Sequence, residues 1–215
     1  MRSNQLSQVP KRTGGQILPQ QLSLVGMFRQ KMRRGSIAIL DALEPVILAF
    51  AIFMMVYLFL FQPHKVDGRS MYPNFEDREY ILTDKVTYRR IDPQRGDVIV
   101  FHAPPPYDSD FIKRIIGMPG EVVMIKAGAV HINGVELEEE YLPVNFVTNE
   151  KTFLRDSVPY RIPEGYYIVL GDNRNYSSDS REWGPISKKA IVGKAWIRYW
   201  PADRIGMVPH QKYGF

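Results

Sequence analysis

Val130-His131-Ile132-Asn133-Gly134-Val135-Glu136-Leu137 holds two short β-compatible runs around Asn-Gly, the dipeptide that most readily takes positive φ at both centres of a two-residue turn. This is a β-hairpin signal. On either side of it the chain repeats the same pattern, short β-branched and aromatic runs bounded by Gly, Pro and Asn. Tyr80–Val86, Asp97–Phe101, Phe111–Ile116, Glu121–Ile125, Val130–Ile132, Tyr166–Leu170 and Ile191–Trp200 are the predicted strands. Helical periodicity is nearly absent after residue 65. The expected fold of residues 62–215 is therefore mostly β, with antiparallel coiled sheets or a barrel-like form. Pro104-Pro105-Pro106 reads as a stiff connector, and residues 143–163 as an irregular surface excursion.

In front of this domain the pattern is different. Residues 37–61 are apolar except for Asp41 and Glu44, and Pro45–Phe61 is uninterrupted. At ~1.5 Å per residue the whole run would reach about 38 Å, enough to cross a hydrocarbon core of about 30 Å with tilt. It is apolar on every face, so it does not read as a half-buried soluble helix. No Ala-x-Ala follows it, which disfavours a cleavable leader. Residues 1–36 carry seven basic residues and no acidic one, so the net charge of +5 becomes −2 once that tail is set aside. Basic residues before a span mark the cytoplasmic side. The expectation is a single-pass protein of the cell membrane in contact with the lipid bilayer, its tail cytoplasmic and its β domain extracytoplasmic. The charge belongs to the tail rather than to a folded basic face, so no nucleic-acid partner is expected.

The absence of cysteine excludes disulfides and thiol catalysis. The four histidines have no ligand spacing, so neither a metal nor a cofactor is expected. In Val66-Asp67-Gly68-Arg69-Ser70-Met71-Tyr72-Pro73 one serine stands between a glycine turn and a proline, and Ser70 is a candidate nucleophile. A serine needs a base, and no histidine stands in a triad context. Lys113, inside Phe111-Ile112-Lys113-Arg114-Ile115-Ile116, lies where an ammonium would be poorly solvated, the setting that a lysine base requires. Asp110, three residues away and just before the predicted strand, should face the other way if it is extended too. A third stretch, Gly171-Asp172-Asn173-Arg174-Asn175-Tyr176-Ser177-Ser178-Asp179-Ser180-Arg181, is a dense polar loop after a strand.

These three stretches, in this order and behind one apolar span, resemble the type I signal peptidases, membrane-anchored serine proteases with a Ser-Lys dyad. The likeness covers roughly residues 45–201. It implies an endopeptidase that removes signal peptides from secreted preproteins through an acyl-enzyme, cutting after small residues in an Ala-x-Ala pattern. By the same resemblance Ser70 is the nucleophile, Lys113 the general base, Ser177 the hydroxyl that orients the lysine, and Asp179 with Arg181 a charge pair shaping the site. Val66, Met71, Phe75 and Ile112 would be pocket walls, and each is equally readable as plain core. Some family members carry a serine two residues before the nucleophile to help hold the oxyanion. Here that position is Gly68, so backbone N–H groups, including that of Ser70, would have to serve.

Two other readings compete. A related Ser-Lys autoprotease would use Ala127-Gly128 for self-cleavage, but that pair follows Lys113, and a span stands where a DNA-binding motif should be. A membrane-anchored β domain without activity would have no reason to keep both dyad members.

Overall fold

The structure, a computed structural model, describes residues 41–144 and 146–213. The basic tail of residues 1–36 and the first residues of the expected span, 37–40, lie outside the described residues. Contacts divide the chain into a unit ending at Met54 and a unit running from Met55 to Phe215.

Asp41–Leu60 is one continuous helix, α1, long and apolar enough to cross a membrane. Its large apolar side chains, among them Ile47, Phe50, Phe53 and Leu58, are exposed. Twenty residues at ~1.5 Å each give about 30 Å, the thickness of a hydrocarbon core. The helix stops one residue short of the predicted end, because Phe61 opens a strand.

Strands follow as β1 (Phe61–Lys65), β2 (Tyr80–Asp84), β3 (Val98–His102), β4 (Asp110–Gly117), β5 (Val122–Lys126), β6 (Ala129–Ile132) and β7 (Val135–Glu136). After the irregular stretch come β8 (Tyr160–Arg161), β9 (Tyr166–Leu170), β10 (Ile186–Ser187), β11 (Ile191–Trp200) and β12 (Gly206–Met207). A four-residue helix, α2, spans Ser180–Trp183. The larger sheet has the order β1-β2-β11-β3-β4-β9-β10, with β12 on β11, and the smaller has β7-β6-β5-β8. All of these pairings are antiparallel.

The turn chemistry is as the sequence predicts. Asn133 and Gly134 take φ of 52° and 85° and join β6 to β7. Ala127 and Gly128 do the same between β5 and β6, with φ of 52° and 78°. The pair that an autoprotease would cut is thus a hairpin turn. The surface excursion at 143–163 needs correction at its end. Tyr160–Arg161 pairs with β5, and Leu154 and Ile162 are buried in the core around Ile116, Val123, Ile125, Ile132 and Leu170, which joins the two sheets. Large apolar side chains there anchor the loop despite its irregular backbone.

β1 was absent from the predicted strands because Pro63 interrupts it. Proline cannot donate to a ladder and is tolerated where one side of the strand is free. β1 meets that condition as the end strand of its sheet, with Pro63 opposite Leu82.

Candidate active site

In a flat sheet β1 and β4 would lie four strand spacings apart, about 19 Å at ~4.8 Å each. Yet Lys113, on β4, donates from Nζ to Oγ of Ser70, just beyond β1, at 2.8 Å. The sheet must curl back on itself. Inside the curl lies a cleft of about 400 Å³, walled by Lys65–Ser70 on one side and Ser109–Lys113 on the other. Ile81 of β2 and Val100 of β3 also line it.

Ser70 is held by its neighbours on both sides. Val66 exchanges backbone hydrogen bonds with the return strand, Val66 N–H to Glu79 O at 2.7 Å and Arg78 N–H to Val66 O at 2.9 Å. From the polar loop, Asn173 donates its N–H to Ser70 O at 3.0 Å and its Nδ2 to Arg69 O at 2.9 Å. Gly171 permits this approach, since a Cβ there would stand 2.4 Å from Ser70 O and 2.2 Å from Ser177 Oγ. Gly68 has φ of +86°, a conformation that L side chains rarely adopt, and its N–H is taken by Asp77 Oδ1 at 2.8 Å.

Lys113 is 3 % exposed. Burial lowers its pKa to about 8, against the opposing charges of Asp179 and Asp172. Both carboxylates are already paired, so their pull on the lysine is partly neutralised. Asp172 receives Nε and Nη2 of Arg114 at 2.9 and 2.7 Å. Asp179 receives Nε and Nη2 of Arg181, each at 2.8 Å. Burial works to raise the Asp179 carboxyl, but the hydrogen bonds and charge of Arg181 hold it below its ordinary value. Lys113 Nζ also donates to Ile112 O at 2.9 Å. Asp110 does not face away as expected, because it opens β4 at the cleft and lines it together with Lys113. There it bonds His64 and His102, and its charge is not among those acting on the lysine.

The lysine shift has a consequence for stability. With the folded-state pKa near 8 and the ordinary value at 10.5, the folded protein binds fewer protons between these limits. Stability therefore rises with pH across that window, and the cost of the buried amine stands in full below about 8. At about 1.4 kcal/mol per unit this cost is up to about 3 kcal/mol. Lys113→Met is expected to raise the denaturant midpoint at neutral pH and to lose most of that advantage above pH 10.5. A variant less stable than the parent at neutral pH would show that the amine bears no such cost.

A family model described as "Signal peptidase, peptidase S26" matches residues 39–200. The chain belongs to the signal peptidase family. It is 33 % identical over 177 residues to "Signal peptidase I" of Leptolyngbya laminosa, an alignment covering 78 % of this chain and 83 % of that protein. It is 34 % identical over 155 residues to "Probable signal peptidase I-2" of a Synechocystis strain, covering 70 % and 68 %. To "Signal peptidase IB" of Staphylococcus aureus strain COL it is 34 % identical over 174 residues, covering 76 % and 90 %. Membership makes the chain a serine endopeptidase that removes signal peptides, from a membrane-anchored family.

Against this family background the expected residues fall into three groups. Ser70, Lys113, Gly68, Val66 and Ile112 line one cleft. Met71 and Phe75 do not line it; each is 1 % exposed, in the core beneath with Val98 and Ala195. Ser177, Asp179 and Arg181 form a layer behind the lysine, each at most 2 % exposed. Ser177 Oγ is buried without a hydrogen bond of good geometry, although it lies close enough to Asp179 to favour that carboxylate. Trp183 rests on Phe101 of β3, with ring centroids 6.0 Å apart, and packs against the core there.

The sequence reading missed Ile81 and Val100 on the cleft wall, the Asp77 brace on Gly68, and two further buried pairs, Arg114–Asp172 and Arg174–Glu139. The apolar runs of β2 and β3 signal that Ile81 and Val100 are buried, but not that they face a cleft. The ion pairs join residues 58 and 35 positions apart, for which one sequence holds no signal.

Proposed function

We propose that this signal peptidase cuts with Ser70 as nucleophile and Lys113 as general base. The observation that carries this reading is the 2.8 Å contact between Lys113 Nζ and Ser70 Oγ around a lysine whose burial favours the neutral amine. Neutral Nζ takes the Ser70 hydroxyl proton as Oγ attacks the scissile carbonyl. The developing oxyanion is met by the Ser70 N–H, which no group among the described residues accepts. Gly68 does not supply a second such donor, since its N–H is bound to Asp77. The lysine ammonium then gives its proton to the departing amine, leaving the acyl-enzyme. Deacylation repeats the step with water, Lys113 again taking the proton. Lys113 Nζ has no hydrogen bond to Ser177; the buried Ser177 Oγ is the free hydroxyl assigned to orient the amine during turnover, and Asp179, held by Arg181, acts on the lysine through its charge.

Val66, Ile81, Val100 and Ile112 give the cleft apolar walls, which suits small apolar residues at the first and third positions before the cut. Incubation of the full-length protein in detergent with a preprotein bearing Ala-x-Ala should give one cut directly after the second alanine, read by mass spectrometry. Cleavage elsewhere, or none, would overturn this specificity.

The same reading places α1 across the cell membrane, the tail of residues 1–36 inside and the β domain outside, on the charge of that tail. Protease added to intact spheroplasts should digest the domain. Its survival there, with digestion only after lysis, would reverse the orientation.

A further inference from the structure

Among the described residues two hydrogen bonds cross between the cleft walls. One is Lys113–Ser70; the other is His64 Nε2 to Asp110 Oδ2 at 3.2 Å. The second joins β1 to the first residue of β4, three positions before the lysine. A single neutral tautomer satisfies all its partners. The Thr83 hydroxyl, fully buried on β2, donates to His64 Nδ1 at 2.9 Å, and His64 Nε2–H then donates to Asp110. His102 Nδ1–H donates to the other carboxylate oxygen at 2.6 Å. The bridge lies at the cleft rim: the His64 side chain, anchored by buried Thr83, is 14 % exposed, that of Asp110 26 % and that of His102 71 %.

Its position sets a length. Three residues of β4 at ~3.3 Å span about 10 Å, so the first three residues of an extended substrate fill the cleft and the fourth and fifth reach the bridge. Side chains of an extended chain alternate, so those of the first and third residues before the cut face the cleft floor, and the fifth is next. We propose that His64 and Asp110, braced by His102, form the end wall of the substrate cleft and restrict the fifth residue before the cut to small side chains. This specificity rests on the reading of Ser70 and Lys113 as the cutting pair with an extended substrate between the walls.

The test uses full-length protein in detergent and two peptides with the same Ala-x-Ala site, one with Ala and one with Phe at the fifth position. The wild type should prefer Ala by roughly tenfold in kcat/KM, the scale of one overpacked side chain. In His64→Ala and Asp110→Ala that ratio should fall below about threefold, and His64→Gln, which keeps an N–H toward Asp110, should restore most of it. The ratio is internal to each variant, so partial loss of folded protein cancels. A wild type with no preference, or alanine variants with an unchanged ratio, would overturn the end wall. Failure of the wild type to cut either peptide would instead strike at the functional reading.

Discussion

Lys113→Met is expected to lower kcat/KM on a preprotein peptide by about 10⁴-fold, the upper range for loss of a positioned general base. Ser70→Ala should cost at least as much. The double variant should be no worse than the poorer single, because nucleophile and base act as a unit and neither retains a role alone. The structural ground is specific. Among the described residues, Lys113 Nζ is the one group hydrogen-bonded to Ser70 Oγ, and burial lowers its pKa to about 8. Lys113→Met also removes a buried amine at a net gain in stability, so lost activity cannot be assigned to lost fold. Additive losses in the double variant would show two independent contributions and would remove the dyad.

The second large effect is on stability. Arg181→Met should destabilise the domain by about 3–5 kcal/mol, the cost of leaving a buried partner charge uncompensated. Asp179 is fully buried, receives both Arg181 nitrogens, and also accepts the N–H of Gly171, which abuts Ser70 and Ser177. Replacing both members, as in Asp179→Leu with Arg181→Met, should recover part of the loss, since the desolvation cost of the pair vanishes with it. Chemical denaturation followed by tryptophan fluorescence would read this, Trp183 lying two residues from Arg181 on α2. A single-variant cost below about 1 kcal/mol would mean that the pair is solvated in solution.

How far the sequence reveals this molecule depends on whether a feature is local. Asn133-Gly134 announces its hairpin because positive φ at two adjacent residues is a property of the dipeptide itself. The long apolar run announces α1, and seven of the strands appear within a few residues of their predicted bounds. β1 does not, because an interior proline reads as a break unless the strand is known to be at an edge. The dyad is legible through residue types and a family resemblance, but its distance is set by the curl of five strands, and no local pattern encodes that curl. The same holds for His64 and Asp110, which are 46 positions apart. Met71 and Phe75 show a different limit: a cleft wall and the core beneath it carry the same apolar signal, and only the fold separates them.

The most direct test of the Ser70–Lys113 account is to trap the acyl-enzyme. Full-length protein would be mixed with an activated ester of an Ala-x-Ala peptide, quenched in acid, digested and mapped by mass spectrometry over a range of pH. The expected adduct is on Ser70, forming faster as pH rises and levelling off above an apparent pKa of about 8. An adduct on another residue, or a rate on Ser70 that stays flat through pH 8, would contradict it.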